Sequence, residues 1–197
     1  FAEDTHEEAL EKVRQARFEL TGLAVRTRIA RTEAGAEKYW KIRRESFSLL
    51  RKNLKGMYAA PFIDDFVVHP DDYPAFLPAL GAILDEYHFI YTIAGHVGDG
   101  NFHIFPLMDM SNPKTHKAIL ELSPKVYELV VKYRGSITGE HNDGIIRTPY
   151  LEMMYGAKIV ELFAQVKRIF DPLGILNPGK KVGGTLADIE RSMITRV

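Results

Sequence analysis

At 197 residues the chain is long enough for one domain, or a domain with a helical appendage, and to bury a core without disulfide or metal staples. Lys plus Arg and Asp plus Glu both number 26, so the formal net charge is zero, which excludes the basic excess of a general nucleic-acid binder. The absence of cysteine excludes disulfides, thiol catalysis and an iron–sulfur cluster within these residues.

No apolar run approaches the roughly 18 residues of a membrane span, and no signal-peptide pattern opens the chain. Beginning at Phe1, it reads as a piece of a longer polypeptide. The expected location is the cytoplasm, with any membrane contact made through the parent protein.

Thr5-His6-Glu7-Glu8 is a capping box, predicting a helix to about Glu19 that Gly22 ends. Residues 23–31 alternate Val25, Thr27 and Ile29 with arginines, as an edge strand or extended connector does. A second helix is predicted over Glu33 to Asn53, with Trp40, Arg43, Phe47 and Leu50 on one face, Trp40 and Phe47 being core candidates. Arg43 within that stripe either snorkels from the core edge or presents a guanidinium to a substrate carboxylate, a bidentate match that lysine cannot make.

Residues 62–68, FIDDFVV, read as a strand stopped by His69-Pro70. Asp71 or Asp72 caps a helix to about Tyr87, in which Pro78 predicts a kink or a late start. Two apolar runs, 88–97 and 101–108, flank Asp99-Gly100, the strongest short hairpin signal. Asn112-Pro113 opens a helix to about Leu122, Ser123-Pro124 a second one to Arg134, and Ser136-Ile137-Thr138 is a short strand.

Strand, helix, strand, strand, helix, strand is the order of a ferredoxin-like βαββαβ unit, an α+β fold with a four-stranded antiparallel sheet and two helices on one face. Additional N- and C-terminal helices complete the expected architecture. Thr148-Pro149 opens a further helix, interrupted at Gly156, whose apolar face carries Ile159, Leu162, Phe163, Val166 and Ile169 up to Phe170, before a turn-rich tail at 173–183. The divisions expected are 1–55 for an N-terminal helical segment, 56–145 for the ferredoxin-like core and 146–197 for a C-terminal helix and tail.

The chemistry concentrates at the hairpin. A two-residue Asp99-Gly100 loop sets His96 opposite His103, two imidazoles on one face with Cβ atoms roughly 4.5–5.5 Å apart. Gly139-Glu140-His141 could add a carboxylate and a third imidazole. Two histidines and a carboxylate are a common divalent-metal set that leaves positions open for substrate, and Glu140 as ligand leaves His141 free to move protons. The plain alternative is a stacked cross-strand histidine pair. His6, His69, His88 and His116 read as surface or capping groups, and Lys180 and Lys181 as solvated charges unless a flavin domain sits nearby.

These residues carry a family resemblance. His96-Val97-Gly98-Asp99-Gly100-Asn101-Phe102-His103, Gly139-Glu140-His141, Phe170-Asp171-Pro172 and Leu176-Asn177-Pro178-Gly179-Lys180 resemble, in order and spacing, the C-terminal domain of FAD-linked oxidases of the D-lactate dehydrogenase, glycolate oxidase and D-2-hydroxyglutarate dehydrogenase type. The resemblance runs from about Trp40 to Val182. It implies that His96, His103 and Glu140 ligate a divalent metal (zinc, manganese or iron), that His141 is the general base, and that Arg43 holds the substrate carboxylate. Asn177 and Lys180 would lie against the flavin region.

Phe105 stands where some members carry asparagine, and Phe62 or a neighbour where the hydroxyglutarate enzymes carry lysine. His141-Asn142-Asp143-Gly144-Ile145-Ile146-Arg147-Thr148-Pro149 looks like the branch whose members often add an iron–sulfur domain, so the implied partners are an FAD-binding domain of the same polypeptide, an iron–sulfur domain or subunit, and a small 2-hydroxy acid.

Metal-held substrate, an imidazole base and a flavin hydride acceptor together make a 2-hydroxy-acid dehydrogenase. No flavin-binding fingerprint occurs here, since Gly98-Asp99-Gly100 lacks a third glycine and a following helix. The fragment alone is therefore expected to be inactive. The competing readings are a non-enzymatic metabolite-binding ferredoxin-like module and a stand-alone metallohydrolase using His141.

Overall fold

The computed structural model describes residues 1, 3–53 and 56–193, with backbone alone over 46–53. Two compact units divide the chain, Phe1–Leu49 and Leu50–Val197. In the first, α1 (His6–Glu19) opens on the expected capping box, with the Glu8 amide donating to Thr5 Oγ1 at 3.2 Å. Residues 25–31 form the extended connector, without strand pairing. Helix α2 (Glu33–Asn53) follows as expected. Trp40 is not core but 53% exposed; Phe47 and Leu50 lie outside the described side chains.

The second unit has the expected mixture of helices and antiparallel sheet. Its strands are β1 (Tyr58–Ala59), β2 (Phe66–Val67), β3 (Ile90–Ala94) and β4 (Asn101–Met108). Strand β4 is central. It pairs with β3 along one edge and with β1 and β2 in succession along the other, all antiparallel. The strand expected at 136–138 reduces to one bridge, in which Val67 and Ser136 exchange N–H···O bonds of 2.8 and 2.9 Å. The expected ferredoxin-like topology is therefore formed only in part: its fourth strand is reduced to that bridge, and β1 adds a pairing on β4 that the βαββαβ unit does not include.

The strand expected over 62–68 is also shortened. Asp65 adopts a left-handed φ of 64°, which breaks the ladder just before β2.

Helices α3 (Tyr73–Asp85) and α4 (Pro113–Lys132) supply the core opposite the sheet. Phe76, Leu80 and Leu84 recur every four residues along α3 and are at most 2% exposed. Phe76 meets Phe66 and Phe102, whose rings stack at 5.5 Å. Helix α4 runs unbroken through Pro124, where the sequence predicts two helices. An internal proline costs about 3 kcal/mol, but Leu122, Val126, Tyr127 and Val130 are fully buried around it, and each such side chain contributes about 1.5–3 kcal/mol. Pro78 is likewise inside α3, which starts at Tyr73 rather than beyond the proline.

C-terminal to the sheet come α5 (Gly144–Arg147), α6 (Leu151–Tyr155), α7 (Ala157–Phe170) and α8 (Leu186–Ser192). Gly156, at φ 75°, separates α6 from α7, as its position predicts. Helix α8 is not anticipated above, although Thr185 and Asp188 form a capping box that marks its start. The apolar stripe of α7 faces outward: Leu162 is 51% exposed and Ile169 73%. Among the described residues no helix is long and apolar enough to cross a membrane.

Candidate metal and active site

Alternation along β4 sorts its side chains. Phe102, Ile104 and Met108 enter the core, while Asn101, His103 and Phe105 take the opposite face. His103 therefore stands away from the two helices, with its side chain 12% exposed. The Phe105 ring lies near-parallel to it at 6.3 Å, and the His141 ring at 5.1 Å.

The hairpin register differs from the expected one. Ala94, not His96, faces His103. The connection is longer than two residues because Val97–Asp99 form a 3-10 turn, closed by Gly100 in the left-handed region. That turn still returns His96 to the site: its ring centroid lies 6.4 Å from that of His103. Tyr73 Oη, donating to the Val97 carbonyl at 2.5 Å, ties the turn to the start of α3.

Glu140 enters from the segment after the Ser136 bridge. Its Oε1 is 3.2 Å from His96 Nε2, and its Oε2 is 3.9 Å from His103 Nε2 and 3.8 Å from His141 Nε2. Two donors on one ion at about 2.1 Å and tetrahedral angles sit about 3.4 Å apart; the Glu140–His96 separation matches that spacing, and those from Glu140 to His103 and His141 are somewhat longer. Glu140, His96 and His141 are each about half exposed, which leaves the open side accessible to a small molecule.

Two residues absent from the sequence-based candidates organise this arrangement. Asp65, fully buried, accepts the backbone amides of Gly139, Glu140 and His141 at 3.1, 2.8 and 2.8 Å. It also accepts from Asn101 Nδ2 at 3.1 Å and Arg147 Nη2 at 3.3 Å. Burial pushes its carboxyl pKa up, but the three amides and Arg147 outweigh that and hold it below its ordinary value.

Among the described residues, the ligand atoms that lie within 4.8 Å of one another come from Asp65, His103, Glu140 and His141; His96, an expected ligand, is not among them, and His141, the expected base, is. Asp65 is nonetheless the frame of the loop rather than a ligand, because its oxygens are already occupied by these donors. Its neighbour Asp64 places Oδ1 2.7 Å from His103 Nδ1 and Oδ2 3.4 Å from His141 Nδ1. Adjacent carboxylates inside an apolar run are the signal that could have revealed both, since buried carboxylates need partners.

Gly139 is required by close approach: a Cβ there would lie 2.8 Å from Asn101 Nδ2 and 2.9 Å from Val67 Cγ2. Arg147 closes the loop by donating to the Asp64 carbonyl at 2.7 Å and to the Asn142 carbonyl.

The remaining candidates are carried by other elements. Arg43 is on α2, in the N-terminal unit, with its guanidinium 5.8 Å from the Trp40 ring centroid. Asn177 and Lys180 are exposed and joined by a turn, the Lys180 amide donating to the Asn177 carbonyl at 3.2 Å. Lys180 also lines a cavity of about 530 Å³ with Tyr58, Phe62, Ile145 and Ile189, a cavity that none of the three histidines or Glu140 borders. Lys181 is not a solvated charge: its ammonium pairs with buried Asp143, and its amide donates to Thr148 Oγ1 at 2.7 Å.

Residues 1–181 match the family described as FAD linked oxidases, C-terminal domain. The chain is 32% identical over 152 residues to the D-2-hydroxyglutarate dehydrogenase of Escherichia coli K12, covering 77% of this chain and 15% of that protein. It is 30% identical over 159 residues to the glycolate oxidase subunit GlcD of Bacillus subtilis 168, covering 81% and 33%. This chain therefore spans 15% and 33% of the length of these two relatives. Among solved structures, the 4-ethylphenol oxidase of Gulosibacter chungangensis, in its isoeugenol complex, superposes with a TM-score of 0.58 at 19% identity, covering 91% of this chain and 37% of that one. At that identity the likeness is one of fold.

Proposed function

The chain belongs to the family of FAD-linked oxidase C-terminal domains, and from that premise we propose that it is the substrate- and metal-binding domain of a flavoprotein that oxidises a D-2-hydroxy acid to the 2-oxo acid. The observation that carries the proposal is the Glu140 carboxylate, 3.2 Å from His96 Nε2 and 3.9 Å from His103 Nε2, with the His141 imidazole alongside. The names of the relatives, a hydroxyglutarate dehydrogenase and a glycolate oxidase subunit, point to the same substrate class.

In this reading His96, His103 and Glu140 hold a divalent ion. The ion, when bound, supplies Lewis acidity toward the substrate's hydroxyl and carboxylate oxygens. His141 Nε2 accepts the hydroxyl proton, a task suited to an imidazole near neutral pH. A flavin supplies the two-electron acceptor for the hydride leaving C2. Arg43 is proposed to bind the substrate carboxylate on guanidinium chemistry and the family resemblance.

The flavin would be held mainly by another domain of the parent polypeptide. The exposed stripe of α7, continued by Leu173 (81% exposed) and Ile175 (70%), supports such a partner, because apolar surface of this extent is normally covered.

The test is expression of the full-length parent, measurement of bound FAD and metal, and a screen of D-2-hydroxy acids with an artificial dye. A yellow, metal-containing protein that reduces the dye, and loses that turnover in His141→Ala, is the expected result. A colourless protein, or turnover unaffected by His141→Ala, would overturn the reading.

A further inference from the structure

We propose that Asp64 is a positioning residue that fixes two of the site's imidazoles at once, His103 as a ligand and His141 as a base; the inference rests on the metal-site reading above. Asp64 is 5% exposed and follows the apolar, buried Phe62 and Ile63, an environment in which a carboxylate needs partners. Its two oxygens face two different rings, Oδ1 toward His103 Nδ1 at 2.7 Å and Oδ2 toward His141 Nδ1 at 3.4 Å.

An ionised carboxylate only accepts hydrogen bonds. His103, hydrogen-bonded to Asp64 at 2.7 Å, must then carry its proton on Nδ1 and direct the Nε2 lone pair the other way, and the same tautomer is proposed for His141, whose Nδ1 stands 3.4 Å from Asp64 Oδ2. Both Nε2 atoms lie near Glu140 Oε2, at 3.9 and 3.8 Å. The His103 and His141 rings are stacked at 5.1 Å and 20°, so one planar carboxylate reaches both from the same side.

A carboxylate behind a metal-bound imidazole fixes its tautomer and raises its basicity. A carboxylate behind a base does the same and stabilises the imidazolium that forms. Asp64 performs both tasks, which couples cation binding to readiness of the base. The backbone supports the position: the Asp64 carbonyl accepts from Arg147 Nη1 at 2.7 Å, and Asp65 next to it accepts the amides of the Glu140-His141 segment.

The test has two readouts on the full-length flavoprotein stripped of metal. In the first, zinc is titrated against a chromophoric chelator. Asp64→Ala is expected to weaken zinc binding about 10–100-fold, and an affinity within twofold of wild type would overturn the proposal. In the second, ¹⁵N-histidine NMR reads ring tautomers. Wild type should show Nδ1–H for both His103 and His141, and Nε2–H on His103 would overturn the proposal even if the variant fails to fold.

Asp64→Asn provides the spectroscopic signature. Its amide has one acceptor and one donor face, so at least one of the two rings should switch to Nε2–H; two unswitched rings would count against the assignment. Failure of the metal reading is distinguishable: wild-type protein that takes up no zinc overturns both claims, whereas wild-type uptake that matches Asp64→Ala overturns this one alone.

Discussion

Arg147 and Asp65, separated by 82 positions in sequence, meet with Nη2 3.3 Å from Oδ2, their side chains 7% and 0% exposed. Removing one partner of such a pair leaves the other charge buried and unmatched, at a cost of about 3–5 kcal/mol. Asp65→Ala also deprives the amides of residues 139, 140 and 141 of their acceptor. The expected result is a loss of that size in urea denaturation. A loss below about 1 kcal/mol would show that Asp65 does not hold the loop.

Gly139→Ala tests the same junction by sterics. The added Cβ would stand 3.1 Å from Asp65 Oδ1 as well as against Asn101 and Val67, so the loop must shift and carry Glu140 with it. Zinc affinity of the full-length protein is expected to fall at least tenfold, or about 1.4 kcal/mol. Gly22→Ala meets nothing within 4 Å and serves as the control, with stability within about 0.5 kcal/mol of wild type. Equal effects from the two substitutions would contradict the account.

Asp171 gives a pH prediction. Lys167 donates to its carboxylate, and together with the Leu176 and Ile175 amides, at 2.9 and 3.0 Å, holds the pKa below the ordinary 3.8, burial opposing. A folded-state pKa below the unfolded one stabilises the fold fully above the unfolded value, and that contribution is lost as pH falls through the folded one. The Ile175 and Leu176 amide proton shifts should therefore titrate together with a midpoint below 3.8. A midpoint at or above 3.8 would contradict the cap.

Legibility in the sequence followed the range of the interactions. The capping box at Thr5 and Glu8, the extent of α2 and the turn at Asn177 are local, and they are readable from neighbouring residues. The antiparallel sheet follows from alternation in β3 and β4. The register at His96 was not legible, because the 3-10 turn at Val97–Asp99 is held by Tyr73, a residue 24 positions away. Pro124 inside α4 was misread for a similar reason: burial of Val126 and Tyr127 against distant elements outweighs a local breaker. At the site, histidines and Glu140 announce themselves by type. Asp64 and Asp65 sit in a run that reads as a strand, and their partners lie about 40 to 80 residues away.

The central claim is that one cation sits among His96, His103 and Glu140 while His141 stays unbound. The most direct measurement is anomalous diffraction from crystals of the full-length flavoprotein grown with zinc. The predicted result is a single strong peak about 2.0–2.2 Å from His96 Nε2, His103 Nε2 and a Glu140 carboxylate oxygen, with His141 Nε2 outside bonding distance. A peak coordinated by His141 in place of His96, or no peak at this site in a protein that contains zinc, would contradict it.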